Sequence, residues 1–142
     1  VKKLFKAILV AALLLSQGAQ AGLDDLMKDL EKQLKVIVAE AKSGGNPANI
    51  SAALRKLEDV VKQVQRDENV PMAISMAEFG GDPAQAAKVP AMKKEYQNFL
   101  TRLLVLRGEI QKAADANDMA TVMTKAKEMR TNTCTACHDK FR

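Results

Sequence analysis

Cys134-Thr135-Ala136-Cys137-His138 spaces two thiols three residues apart and sets an imidazole directly after the second. On a helix, side chains three apart lie on one side of a turn. Both sulfurs can then add to the two vinyl groups of a haem and form thioethers, the chemistry for which CxxCH is the attachment motif. His138 is placed to bind the iron as proximal ligand, a role histidine often takes in haem proteins. The same residues allow other chemistry. A disulfide across so small a loop would do little to staple a fold and would leave His138 without a role. A thiol-redox CxxC usually opens a helix beside a β-strand, whereas this one closes a helical pattern. Structural zinc needs four ligands, and the chain holds only 2 cysteines and 1 histidine. One haem c, covalent through Cys134 and Cys137, is the expected cofactor.

A second axial ligand must come from elsewhere. With the lone histidine assigned, bis-histidine ligation within one chain is excluded. Methionine is the next candidate: Met27, Met72, Met76, Met92, Met119, Met123 and Met129. Most methionines in a helical stripe fill gaps in a core, so position has to discriminate among them.

The elements that must position these groups read as helices. Ala, Leu, Lys, Glu and Gln dominate, and aromatic residues make up only 4%. Leu23, Leu26, Leu30, Leu34, Ile37 or Val38, and Ala41 recur at steps of three and four, which predicts an amphipathic helix over about 23–41. Asp24 and Asp25 favour its N-terminus, and Ser43-Gly44-Gly45 stops it. Asn46-Pro47 reads as a cap and first turn. It opens a second helix with the stripe Ile50, Ala53, Leu54, Leu57, Val60 or Val61, and Val64. The stretch 68–90, with four prolines and glycines before Pro90, is irregular, with room for a short helix over 72–79. A third helix is expected over about 91–114, with Met92, Tyr96, Phe99, Leu100, Leu103, Leu106 and Ile110 inward and Arg107 facing solvent. A fourth follows a turn at Ala116-Asn117-Asp118 and runs over about 119–141. Its inward residues are Val122, Met123, Ala126, Met129, Thr133, Cys137 and Phe141.

Short links make neighbouring helices antiparallel, so the expected architecture is all-α, an up-down-up-down antiparallel four-helix bundle. In such a bundle the start of helix one and the end of helix four share one end. Met27 and His138 are therefore at the same level. The 68–90 connection also lies at that end, which keeps Met72, Met76 and Met92 as rivals. Met119 and Met123 fall at the far end.

The first residues carry an address. Lys2, Lys3 and Lys6 precede an apolar run from Ala7 to Leu15, and Ala19-Gln20-Ala21 fits a small-x-small cleavage site. That predicts a signal peptide over 1–21 and a mature domain over 22–142, long enough for one core. The run is too short for an ordinary membrane span, which needs about 20 apolar residues. The formal charge of +5 belongs to the whole chain, and three of those charges are the signal lysines, leaving +2 for the mature part. Two haem propionates would bring that near zero, so no nucleic-acid partner is implied. The expected location is the periplasm, without stable membrane insertion after cleavage.

The sequence resembles a known group. Leu23-Asp24-Asp25-Leu26-Met27, with Leu34-Lys35-Val36-Ile37, is similar to the opening of cytochrome b562. So is Pro90-Ala91-Met92-Lys93-Lys94-Glu95-Tyr96, and His138-Asp139-Lys140-Phe141-Arg142 is similar to that family's ending. The likeness spans most of 22–142 and is poor over 68–89. The resemblance implies that Met27 and His138 bind the iron. Cytochrome b562 holds its haem without thioethers. Cys134 and Cys137 instead resemble the cytochrome c′ and c556 branch of the same architecture, in which a helix-one methionine marks the six-coordinate members.

The expected function is single-electron transfer through a covalent haem with His138 and Met27 as axial ligands, with periplasmic redox proteins as partners. No residue near His138 reads as a general base, and a distal histidine is excluded, so an enzyme is not expected. The alternatives are a five-coordinate, gas-binding protein of the cytochrome c′ kind and an interaction module that the haem stabilises. A monomer or weak homodimer is expected. Arg142 is a candidate partner for a propionate, and Phe141 for the haem edge or the core against helix one.

Overall fold

The computed structural model describes residues 22–142; the signal peptide expected over 1–21 lies outside the described residues. The described chain is all-α, with no strand. Helix α1 spans Leu23–Lys42 and buries Leu26, Leu30, Leu34, Ile37 and Ala41, the expected stripe with Ile37 inward. It ends in a turn where Gly44 has φ +68°. A Cβ at Gly45 would collide with the Glu40 carbonyl oxygen, which accepts the Gly45 N–H at 2.7 Å. The Glu40 carboxylate accepts from the Asn46 N–H and from Asn49 Nδ2, both at 3.2 Å. One side chain thereby fixes the link to α2, Pro47–Val64. Asn46 caps α2 by accepting the Ala48 N–H at 2.9 Å.

The irregular stretch holds a 3-10 turn at Asp67–Asn69, then α3 (Met72–Phe79) and α4 (Pro83–Ala86). Asn69 is buried and donates from Nδ2 to the Gln63 carbonyl at 2.8 Å, satisfying the end of α2. The short helix expected over 72–79 has those bounds. Only Ile74 of α3 is buried; Met72, Met76 and Phe79 are exposed.

Helix α5, Val89–Asp115, begins two residues before the expected Ala91. Pro90 is tolerated there because a first-turn N–H has no helical partner to lose. Within 103–106, Leu103 and Leu106 point inward and Val105 is exposed. Arg107 corrects the expectation of a solvent-facing residue: it is half-buried, with Nε 3.2 Å from Glu58 Oε2 on α2. The turn to α6 (Met119–Met129) uses Asn117 at φ 55°. Asp118 accepts from the Thr121 N–H at 3.0 Å and from its hydroxyl at 2.6 Å, and these bonds lower the Asp118 pKa.

The expected last helix is not uniform. After α6 the chain makes a π turn, Arg130–Thr135, and closes as α7, Ala136–Phe141. The cause is the spacing of the buried residues. Met129, Thr133, Cys137 and Phe141 are all buried and all four apart. An ideal α-helix turns about 100° per residue, so three such steps would carry Phe141 about 120° off the core face. Absorbing one extra residue in a π turn cuts that drift to about 20°.

Helices α1 and α2 pack together, as do α5 and α6, while α1 also packs on α6 and α2 on α5. Directions follow from cross-helix pairs. Tyr96 donates its hydroxyl to the Val64 carbonyl at 3.2 Å, and Gln111 Nε2 donates to Ser51 Oγ at 2.7 Å. Numbers rising on α5 thus meet numbers falling on α2. Lys125 bonds Glu109 at 2.8 Å and Lys140 bonds Glu95, so α5 is also antiparallel to the last segment.

Candidate functional site

Cys134 lies in the π turn, and Cys137 and His138 in α7; both thiols are free. Cys137 is buried, while Cys134 and His138 are half-buried. Burial pushes the Cys137 thiol up to about 11, helped by Cys134 and by the negative charge of Glu95. Burial also raises Cys134, against the Thr133 hydroxyl and the Arg130 cation, which pull the other way. Both groups therefore stand as neutral thiols at pH 7. A thiol-exchange centre needs a depressed pKa to hold a nucleophilic thiolate, so this environment disfavours disulfide chemistry.

The two cysteines have different neighbours. Arg130, Cys134 and His138 follow one another at four-residue steps, and all three fall within the electrostatic range of Glu31 on α1. Glu31 itself is held below the usual carboxylate range, first by its bond to Lys35 at 2.9 Å and less by Arg130 and His138. Cys137 instead lies toward α5, where it and burial together raise the Tyr96 pKa, burial most. Phe141 is buried in the core and makes edge-to-face contacts with Tyr96 (centroids 6.0 Å) and Phe99 (6.4 Å), both on α5.

Met27 lies four residues before Glu31, hence on the same face of α1 and one turn nearer its start. It is half-buried and packs against the core. Met129 is fully buried in the core, Met92, Met119 and Met123 are half-buried, and Met72 and Met76 are 74% and 65% exposed on α3. Backbone packing on α1 is close along α6, whereas the segment after Met129 packs closely on α5 and α3. Glu31 is the α1 residue whose charge reaches Arg130, Cys134 and His138, and Met27 lies one turn from it.

The donor set is of the kind haem c uses: two free thiols three residues apart, an adjoining imidazole, and a thioether on α1, one turn from the Glu31 whose charge reaches Cys134 and His138. Among the described residues no three His, Cys, Asp or Glu side chains gather as an ion site. Arg142 is exposed, consistent with either a propionate partner or a solvated end. Sequence reasoning placed Thr133 inward, as it is, but missed Glu31 and the π turn, although the unbroken four-residue spacing was there to be read.

No family model matches the chain, and no curated protein matches it.

Proposed function

We propose that this chain is an exported c-type cytochrome of the periplasm that carries single electrons, built as an up-down-up-down antiparallel four-helix bundle. The observation that carries the reading is the pair of free, neutral thiols followed by His138, with Cys134 and His138 on the flank that faces Met27's side of α1. Cys134 and Cys137 would hold haem c by two thioethers. Haem iron supplies reversible one-electron exchange, and its potential is set by axial ligands, hydrogen bonds and burial. His138 and Met27 would supply the imidazole and the thioether to its iron, and a thioether favours the ferrous state relative to a second imidazole. The reading is a carrier and not an enzyme. Periplasmic redox proteins are its partners. No helix among the described residues is long and apolar enough to cross a membrane.

The reading is tested by producing the chain together with a haem-attachment system. The expected product gains the mass of one haem and keeps its colour through acid–acetone extraction. A protein of unaltered mass that stays colourless contradicts it.

A further inference from the structure

The π turn holds Cys134 and precedes Cys137 and His138, and the residues around it fall into two rows. Thr133, Cys137 and Phe141 continue the buried row of Met129, and Phe141 is anchored between Tyr96 and Phe99 on α5. Arg130, Cys134 and His138 form the second row, on the flank of Glu31. In a regular α-helix, residues four apart slant around the axis, so the first row would drift by about 120° over its three steps and the second by about 80° over its two. A π turn is wider and frees a backbone carbonyl from the i−4 pattern. The Met129 carbonyl, at the start of the turn, also accepts the hydroxyl of Thr133, a side chain only 1% exposed. That bond satisfies a group whose burial without a partner would be costly.

We propose that this π turn, pinned by Thr133, assigns each cysteine to its own neighbouring helix: Cys134 to the α1 side with His138, and Cys137 to the α5 seam. Thr133 is thus a positioning residue for the attachment site. The purpose assigned to the turn rests on the haem reading, because a rigid planar group with two vinyl arms needs two sulfurs held at fixed directions. The placement of the thiols does not depend on that reading and is measured without haem.

The test uses the full chain without haem, with Thr133→Val and Thr133→Ser beside the wild type. Native iodoacetamide labelling is followed separately at Cys134 and Cys137 by peptide mass spectrometry. In the wild type and Thr133→Ser, the half-buried Cys134 reacts about tenfold or more faster than the buried Cys137. In Thr133→Val the ratio falls several-fold toward one, while far-ultraviolet circular dichroism stays helical. An unchanged ratio in folded Thr133→Val overturns the proposal.

A pair of single-residue deletions covers the case in which Thr133→Val does not fold. Deleting exposed Asn132 removes the extra residue of the turn and leaves Cys137 and Phe141 on the core face. Deleting exposed Lys127 swings Met129 off that face. The first variant is expected to melt near the wild type and the second far below it; equal loss in both overturns the π-turn account. A chain that shows both contrasts yet takes up no haem contradicts the haem reading alone.

Discussion

Helix α2 and the chain after Met129 bury rows of similar length by different rules. Along α2 the buried residues Ile50, Leu54, Leu57, Val61 and Val64 alternate steps of four and three. That keeps them on one face of an ordinary helix, since the mean step is near the helical period of about 3.6. After Met129 every step is four, and the backbone has to widen to keep the row inside. The first region is specified by pattern alone. The second departs from the helical period where the attachment residues lie, and local rules are most often violated at functional sites. The same contrast appears in the links: α2 starts at an Asn46 cap backed by Glu40, whereas α7 follows the π turn with no side-chain cap.

The largest effect that separates the two regions is chemical. Replacing Cys134 and Cys137 together by serine is expected to abolish haem that survives acid–acetone extraction, while the helical content of the chain, set by rows such as that of α2, stays near wild type in circular dichroism. Loss of helix in the double variant would make the cysteines structural.

Next come the two cores. Leu54→Ala removes a fully buried side chain from α2 and is expected to cost about 2–5 kcal/mol in urea unfolding. Phe141→Ala removes the anchor of the underwound segment. It is expected to cost about 3 kcal/mol, at the lower end for aromatic truncation because Phe141 is near the end of its helix. It should also speed labelling of Cys137, which Leu54→Ala in its folded population should not. Equal labelling in the two variants would break the distinction between regions. Asn46→Ala, by contrast, deletes a cap and is expected to cost about 1 kcal/mol with no effect on either cysteine.

The smallest effect is in pH dependence. The Cys137 thiol titrates at about 11 when folded, above an ordinary thiol, because burial disfavours the thiolate. The folded chain therefore holds this proton over a range in which the unfolded chain has lost it. That contribution to stability is present below about pH 9 and is lost as pH rises toward about 11. Urea unfolding of the haem-free chain between those values should show a steeper loss in the wild type than in Cys137→Ala. Parallel slopes would place Cys137 in a solvated environment.

Much of the architecture was legible before the structure. Periodicity gave the stripes of α1 and α2 and the caps at Asn46 and Asp118, and it placed a short helix at 72–79. Such features depend on neighbours a few residues apart, which a sequence displays directly. The rest depended on contacts between distant segments. Arg107 reads as a solvent residue until α2 brings Glu58 beside it. Phe141 has no ring partner in view until α5 supplies Tyr96 and Phe99. The π turn is intermediate. Its cause, four-residue spacing from Met129 to Phe141, is in the sequence, but it becomes decisive only once all four side chains are known to share one core. At the candidate site, Cys134, Cys137 and His138 announce themselves by type and spacing. Met27 depends on the chain direction of α1 relative to the last segment, and Glu31 on the flank that Cys134 and His138 share.

The most direct measurement compares optical spectra of the haem-loaded, signal-cleaved protein, oxidised and reduced, with those of Met27→Ala. Ligation by His138 and Met27 predicts low-spin ferrous haem in the wild type and a weak far-red charge-transfer band in the ferric form that the substitution removes. High-spin spectra that Met27→Ala leaves unaltered would contradict it, making Met27 a core residue and the iron an open, gas-binding site.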